Sequence, residues 1–95
     1  MREFVETYLQ DLTLLCSEIT TGRQTKDLRR LHRAAHTIKS NALEFGATKL
    51  GQLARELEML AGSDSPAQDK LDSLSEGVLA SANAVKQLVE GKLSF

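Results

Sequence analysis

The chain has little of what builds disulfide-stapled, metal-clustered or β-rich proteins. A single cysteine, Cys16, stands among 95 residues, which excludes an internal disulfide and any four-cysteine zinc site. Its setting, after Leu15 and one turn before Ile19, reads as core. Aromatic residues make up 4% of the chain, no Asn-Gly hairpin signal occurs, and nothing reads as a strand. The only proline, Pro66, falls at the predicted start of a helix. No apolar run approaches the length of a membrane span. Acids interrupt the apolar positions that follow Met1, so the opening residues do not make a secretory leader. No internal repeat or low-complexity stretch stands out. A net charge of −1 supplies no global basic field for nucleic acid, and the basic residues lack interleaved aromatics. A cytoplasmic chain is expected, either on its own or as part of a larger polypeptide.

What is present is ordinary for a soluble domain: 41% hydrophobic and 26% charged residues. Residues 1–95 form one domain with room for one modest core, so its work is expected at the surface rather than in a deep cleft. The charge is uneven. From Thr21 to Ser40 there are six basic residues (Arg23, Lys26, Arg29, Arg30, Arg33, Lys39) and one acid, Asp27.

Four segments carry helical periodicity. The first is predicted from about Glu3 to Thr20, on the stripe Phe4, Tyr8, Leu12, Leu15 and Ile19, with Val5, Leu9 and Cys16 widening it. Thr20-Thr21-Gly22 is expected to stop it. The second is predicted from about Lys26 to Glu44, with Thr25 as N-cap and Gly46 as its end. Its stripe is Leu28, Leu31, Ala35, Ile38, Ala42 and Phe45. The third is predicted from about Thr48 to Ala61, with Leu50, Leu53, Ala54, Leu57, Leu60 and Ala61 inward. Gly62-Ser63-Asp64 ends it. The fourth opens on Ser65-Pro66, read as N-cap and first helical residue, and runs to about Glu90 on Leu71, Leu74, Val78, Ala82, Val85 and Leu88. Ser94 and Phe95 read as a tail. Short connections between amphipathic helices predict an all-α, antiparallel, up-down-up-down four-helix bundle.

The second helix carries both histidines, His32 and His36, four residues apart and so on one face. With Lys39, Ser40 and Leu43 they form a ridge flanking the apolar stripe. An imidazole, with a pKa of about 6.5, is a competent nucleophile near neutral pH. Lys39, one turn on, offers positive charge for phosphoryl oxygens, and Ser40 is small enough to leave room for a partner. Arg29 and Arg33 suit an acidic partner surface. At about 1.5 Å per residue, Glu58 on the third helix falls at the height of His36 if the two helices are antiparallel. A carboxylate there accepts from Nδ1–H and leaves Nε2 free to attack. Gly51 and Ala54 lie on the same side of that helix and keep the approach open. Read singly, each residue has a plainer explanation. His32 and Lys39 are ordinary on a solvated helix face, and Glu58 has Arg55 and Lys49 as alternative partners.

The run His36-Thr37-Ile38-Lys39-Ser40, followed after five residues by Gly46, resembles the signature of the histidine-containing phosphotransfer (HPt) family. There the pattern reads His-x-x-Lys-Gly with a second glycine downstream. Arg33-Ala34-Ala35-His36 and the stretch from Phe45-Gly46-Ala47 to Leu57-Glu58 are similar to the family over both central helices, roughly Leu28 to Ala61. The outer helices match only as amphipathic segments. Ser40 departs from the pattern, standing where glycine is commoner.

The resemblance implies a phosphoacceptor at His36, with Lys39 beside it and Glu58 orienting the imidazole. It implies exchange with the aspartate of a response-regulator receiver domain, whose Mg²⁺ belongs to the partner, or with a hybrid sensor histidine kinase. The expected docking surface is His32, Arg33, Ser40, Leu43, Ala47, Gly51 and Ala54, with Leu43 and Ala47 its apolar part. The chain itself is expected to need no cofactor and no metal, to meet no nucleic acid, and to act as a monomer. No ATP-binding region is present, so self-phosphorylation is not expected, and the resemblance implies a phosphoryl carrier rather than a self-contained enzyme. Three alternatives stay open. One is the phosphoacceptor domain of a chemotaxis-type kinase. Another is a non-catalytic helical interaction bundle. The third is a metal site on His32, His36 and Glu58, which lacks the glutamate that follows the first histidine in zinc proteases, Arg33 standing there instead.

Overall fold

In the computed structural model the backbone is described over residues 2–44 and 47–93, and the side chains over 6–44 and 47–88. Four helices follow one another: α1 Arg2–Thr25, α2 Leu28–Glu44, α3 Thr48–Ala61 and α4 Gln68–Leu93, with no strand among the described residues. Phe45, Gly46, Ser94 and Phe95, and the side chains of Phe4, Val5 and Glu90, lie outside the described residues, so the expectations placed on them go no further.

The helices form because each buries one apolar stripe against the others. Tyr8, Leu12 and Ile19 of α1, Leu31, Ala35, Ile38 and Ala42 of α2, Leu50, Ala54, Leu57 and Ala61 of α3, and Leu71, Val78 and Ala82 of α4 make one core. Leu15, Cys16, Leu28, Leu53, Leu60, Leu74 and Val85 pack around it half-buried. Burial raises the Cys16 thiol pKa, with the charge of Lys86 opposing, in keeping with the core setting read from the sequence.

The lateral pairs run antiparallel. On α2 and α3, Ala42 lies beside Gly51, His36 and Lys39 beside Glu58, and His32 beside Gly62, so numbers fall on one helix as they rise on the other. Between α1 and α4, the Arg23 guanidinium donates to Asp72 at 3.0 Å and to Glu76 at 2.9 Å, while Cys16, two turns earlier, lies toward Lys86. Each helix packs on its chain neighbours and α4 closes the ring against α1. On neither diagonal, α1 with α3 or α2 with α4, do Cα atoms come within 8 Å among the described residues.

Four sequence expectations need correction. First, α1 does not stop at Gly22. It runs one turn further, to Thr25, with the hydroxyls of Thr20 and Thr25 turned back onto the carbonyls of Cys16 and Thr21. It ends where Lys26 takes φ 56°, with Asp27 N–H donating to Gly22 O at 2.8 Å and Lys26 N–H to Arg23 O at 3.4 Å, the Schellman pattern. Gly22 is instead a packing position. A Cβ there would lie 3.1 Å from Leu31 Cγ and 3.3 Å from Asp27 O.

Second, the cap of α2 is Asp27, whose carboxylate accepts from Arg30 N–H at 3.1 Å, and not Thr25, which belongs to α1. Third, α4 begins at Gln68, with Ala67 O accepting its first helical bond at 3.0 Å. Pro66 covers the base of the bundle, lining a cavity of about 140 Å³ with Leu28, Leu31 and Leu71.

Fourth, Leu88 is 63% exposed although it continues the α4 stripe. The N-terminal turn of α3 meets α4 over Ala80–Val85, and beyond that point α3 offers nothing to cover it. The buried stripe instead takes in Ser75, whose hydroxyl is fully buried without a hydrogen-bond partner.

Candidate functional site

The site lies on the seam between α2 and α3. Ala34, Ala35, Ile38 and Ala42 fix which side of α2 faces inward. That choice leaves His36 on the solvent edge next to α3, its side chain 58% exposed. Gly51 packs against Ala42 across the seam, where an added Cβ would sit in ordinary contact at 3.6 Å. On α3, Leu57 and Ala61 point inward, which turns Glu58 sideways into the seam with only 12% of its side chain exposed.

Glu58 is the hinge of the arrangement. One carboxylate oxygen, Oε2, is hydrogen-bonded to His36 Nδ1; the other, Oε1, accepts from Lys39 Nζ at 2.8 Å. The Lys39 ammonium, first, and His36 after it hold the Glu58 carboxyl below its ordinary value, against the opposing effect of burial. An ionised carboxylate on Nδ1 keeps the proton there and leaves the Nε2 lone pair facing solvent. The alternative partners of Glu58, Arg55 and Lys49, make no ion pair with it.

The other expected site residues divide into two groups. Arg33, Ser40 and Leu43 lie exposed along the ridge, Leu43 at 68%, and Ser40 donates its hydroxyl to His36 O at 3.2 Å. His32 is exposed and lies against Gly62, where a Cβ would come within 3.1 Å of its ring. Ala47 is half-buried against the core. Gly51 and Ala54 are buried, so they do not belong to a docking surface. Their part is to set the spacing of α2 and α3.

His32, turned to the end of α3, joins no cluster. Among the described residues no group of three or more His, Cys, Asp or Glu side chains is placed to hold a metal ion. Nor, among them, is any helix long and apolar enough to cross a membrane. One feature escaped sequence reasoning: Lys39 pairs with Glu58 rather than standing free. Its signal was available in the sequence: Glu58 falls at the height of His36, and Lys39 stands within one turn of it on the same helix.

An exposed imidazole paired with a half-buried carboxylate thus lies on an antiparallel four-helix bundle. The Hpt domain family profile matches residues 1–91, and the chain belongs to that family. Hpt domains carry out histidine phosphotransfer in two-component signalling, exchanging with receiver and kinase partners in phosphorelays. No curated protein and no solved structure matches the chain.

Proposed function

We propose that His36 is the phosphoacceptor of this domain and that it exchanges phosphoryl with the aspartate of a receiver domain. The observation that carries the reading is the pairing of His36 Nδ1 with Glu58 on an otherwise exposed ring. The Nε2 lone pair attacks phosphorus on the receiver's aspartyl phosphate. The N–P bond forms as the bond from phosphorus to the aspartate oxygen breaks, and the aspartate leaves as a carboxylate. Phosphorylation of Nε2 with the proton still on Nδ1 places positive charge on the ring, and Glu58 faces that charge. Return of phosphoryl to a second aspartate reverses these steps.

Lys39 orients Glu58 and lowers its pKa further, so it acts on the imidazole through the carboxylate. The Mg²⁺ that the reaction uses belongs to the receiver. Arg33, Ser40 and Leu43 lie around the ring and form the surface the receiver meets, and the chain works as a single copy.

Incubation with a phosphorylated receiver tests the reading. Acid-labile, base-stable label is expected on the wild type and none on His36→Gln. Equal labelling of His36→Gln would overturn it.

A further inference from the structure

The cation beside the reacting nitrogen is the open question at this site. Lys39 stands on the Nδ1 side of the ring, with its ammonium on Glu58 Oε1 at 2.8 Å. The carboxylate therefore lies between Lys39 and the position a phosphoryl group on Nε2 would take. Long side chains on a helix lean over the turn that precedes them, so the His36 ring leans toward residues 32 and 33. His32 is turned away to Gly62. Arg33, three residues before His36, is exposed and makes no ion pair among the described residues.

The surroundings of Arg33 explain why it is free. It lines a groove of about 400 Å³ between α1 and α2, with Arg29, Arg30, Glu18 and Asp27, that runs up to Thr37 beside His36. Both carboxylates in that groove lie against Arg30: Glu18 forms an ion pair with its guanidinium at 2.6 Å and Asp27 accepts from its backbone N–H at 3.1 Å. Arg29 and Arg33, four residues apart on one face, are left without an ion-pair partner among the described residues. A guanidinium in that position gains from an anion, and its planar fork fits phosphoryl oxygens. Arg55, an exposed cation of α3, lies level with Lys39, on the far side of His36 from the lean of the ring.

We infer that Arg33, rather than Lys39, binds the oxygens of the phosphoryl group carried by His36. The inference rests on His36 being the phosphoacceptor. Its consequence is that the isolated phosphorylated domain holds its phosphoryl group as the dianion at lower pH than a free phosphoimidazole does.

The test uses the whole chain phosphorylated with phosphoramidate, a small donor that needs no partner, and follows the ³¹P shift against pH. Arg33 favours the dianion, so Arg33→Ala is expected to raise the phosphoryl titration midpoint by at least about half a pH unit. Arg33→Lys is expected to restore part of that shift, and Arg55→Ala to leave the midpoint in place. Coincident titrations of wild type and Arg33→Ala overturn the inference while leaving the phosphoacceptor reading intact. A midpoint moved by Arg55→Ala and not by Arg33→Ala overturns it equally. A wild-type chain that takes no phosphoryl group at His36 overturns both.

Discussion

At the scale of single residues, the chemistry turns on a carboxylate used twice. Glu58 holds Nδ1 as a carboxylate, and Lys39, ahead of His36, pushes its pKa further below the ordinary 4.5. The same pair makes a stability prediction. The folded-state pKa of Glu58 lies below its ordinary value of 4.5, so its contribution is fully present above that pH and is lost as pH falls through the folded value. Thermal melts of wild type and Glu58→Gln should therefore differ most near neutral pH and converge below pH 4.5. A difference independent of pH would mean that the ionised carboxylate is not what stabilises the seam. The imidazole and its carboxylate were readable in the sequence, because helical rise alone puts residues 36 and 58 at one height. The fully buried Ser75 hydroxyl was not, since a serine inside an apolar stripe looks like a turn outward.

At the scale of elements, existence and order were legible and ends were not. Long amphipathic stripes are repeated signals, whereas a helix end is decided by one or two residues. Gly22 looked like a terminator because glycine commonly follows a helix, yet here it is the contact that admits Leu31. Gly22→Val should cost about 1–3 kcal/mol in chemical denaturation, because the added atoms meet a buried side chain and a backbone oxygen. Wild-type stability in that variant would contradict the packing role. Asp27 was counted only as the lone acid of a basic stretch, although its carboxylate starts α2. Asp27→Ala should lower stability by about 1 kcal/mol, which a shift of the denaturation midpoint with an unchanged slope would register. No change would assign the cap to another group. Pro66 misled for a related reason: it suits a first helical position, but its ring serves the apolar base of the bundle.

At the scale of the whole molecule, a thin bundle measuring 46 × 22 × 17 Å has no interior to spare for a substrate. Its outer helices, of 24 and 26 residues, extend past the turn between the 17-residue α2 and the 14-residue α3, which is why Leu88 is bare. Burial and function are separated across α2: Ile38 and Ala42 hold the core, while His36 and Leu43 face outward one step around the helix. Periodicity alone separated these two faces. It gave Gly51 and Ala54 a place in the docking surface as well, although Ala54 also fell on the inward stripe, and both are buried between the central helices.

The central claim is that Glu58 reserves Nδ1 and leaves Nε2 to carry the phosphoryl group. The direct measurement is ¹⁵N NMR of the phosphorylated chain with imidazole-labelled histidine, in which coupling to ³¹P identifies the substituted nitrogen. Coupling at Nε2 of His36, with the proton retained toward Glu58 on Nδ1, is the predicted result. Phosphorus coupled to Nδ1, or to a nitrogen of His32, would contradict the account.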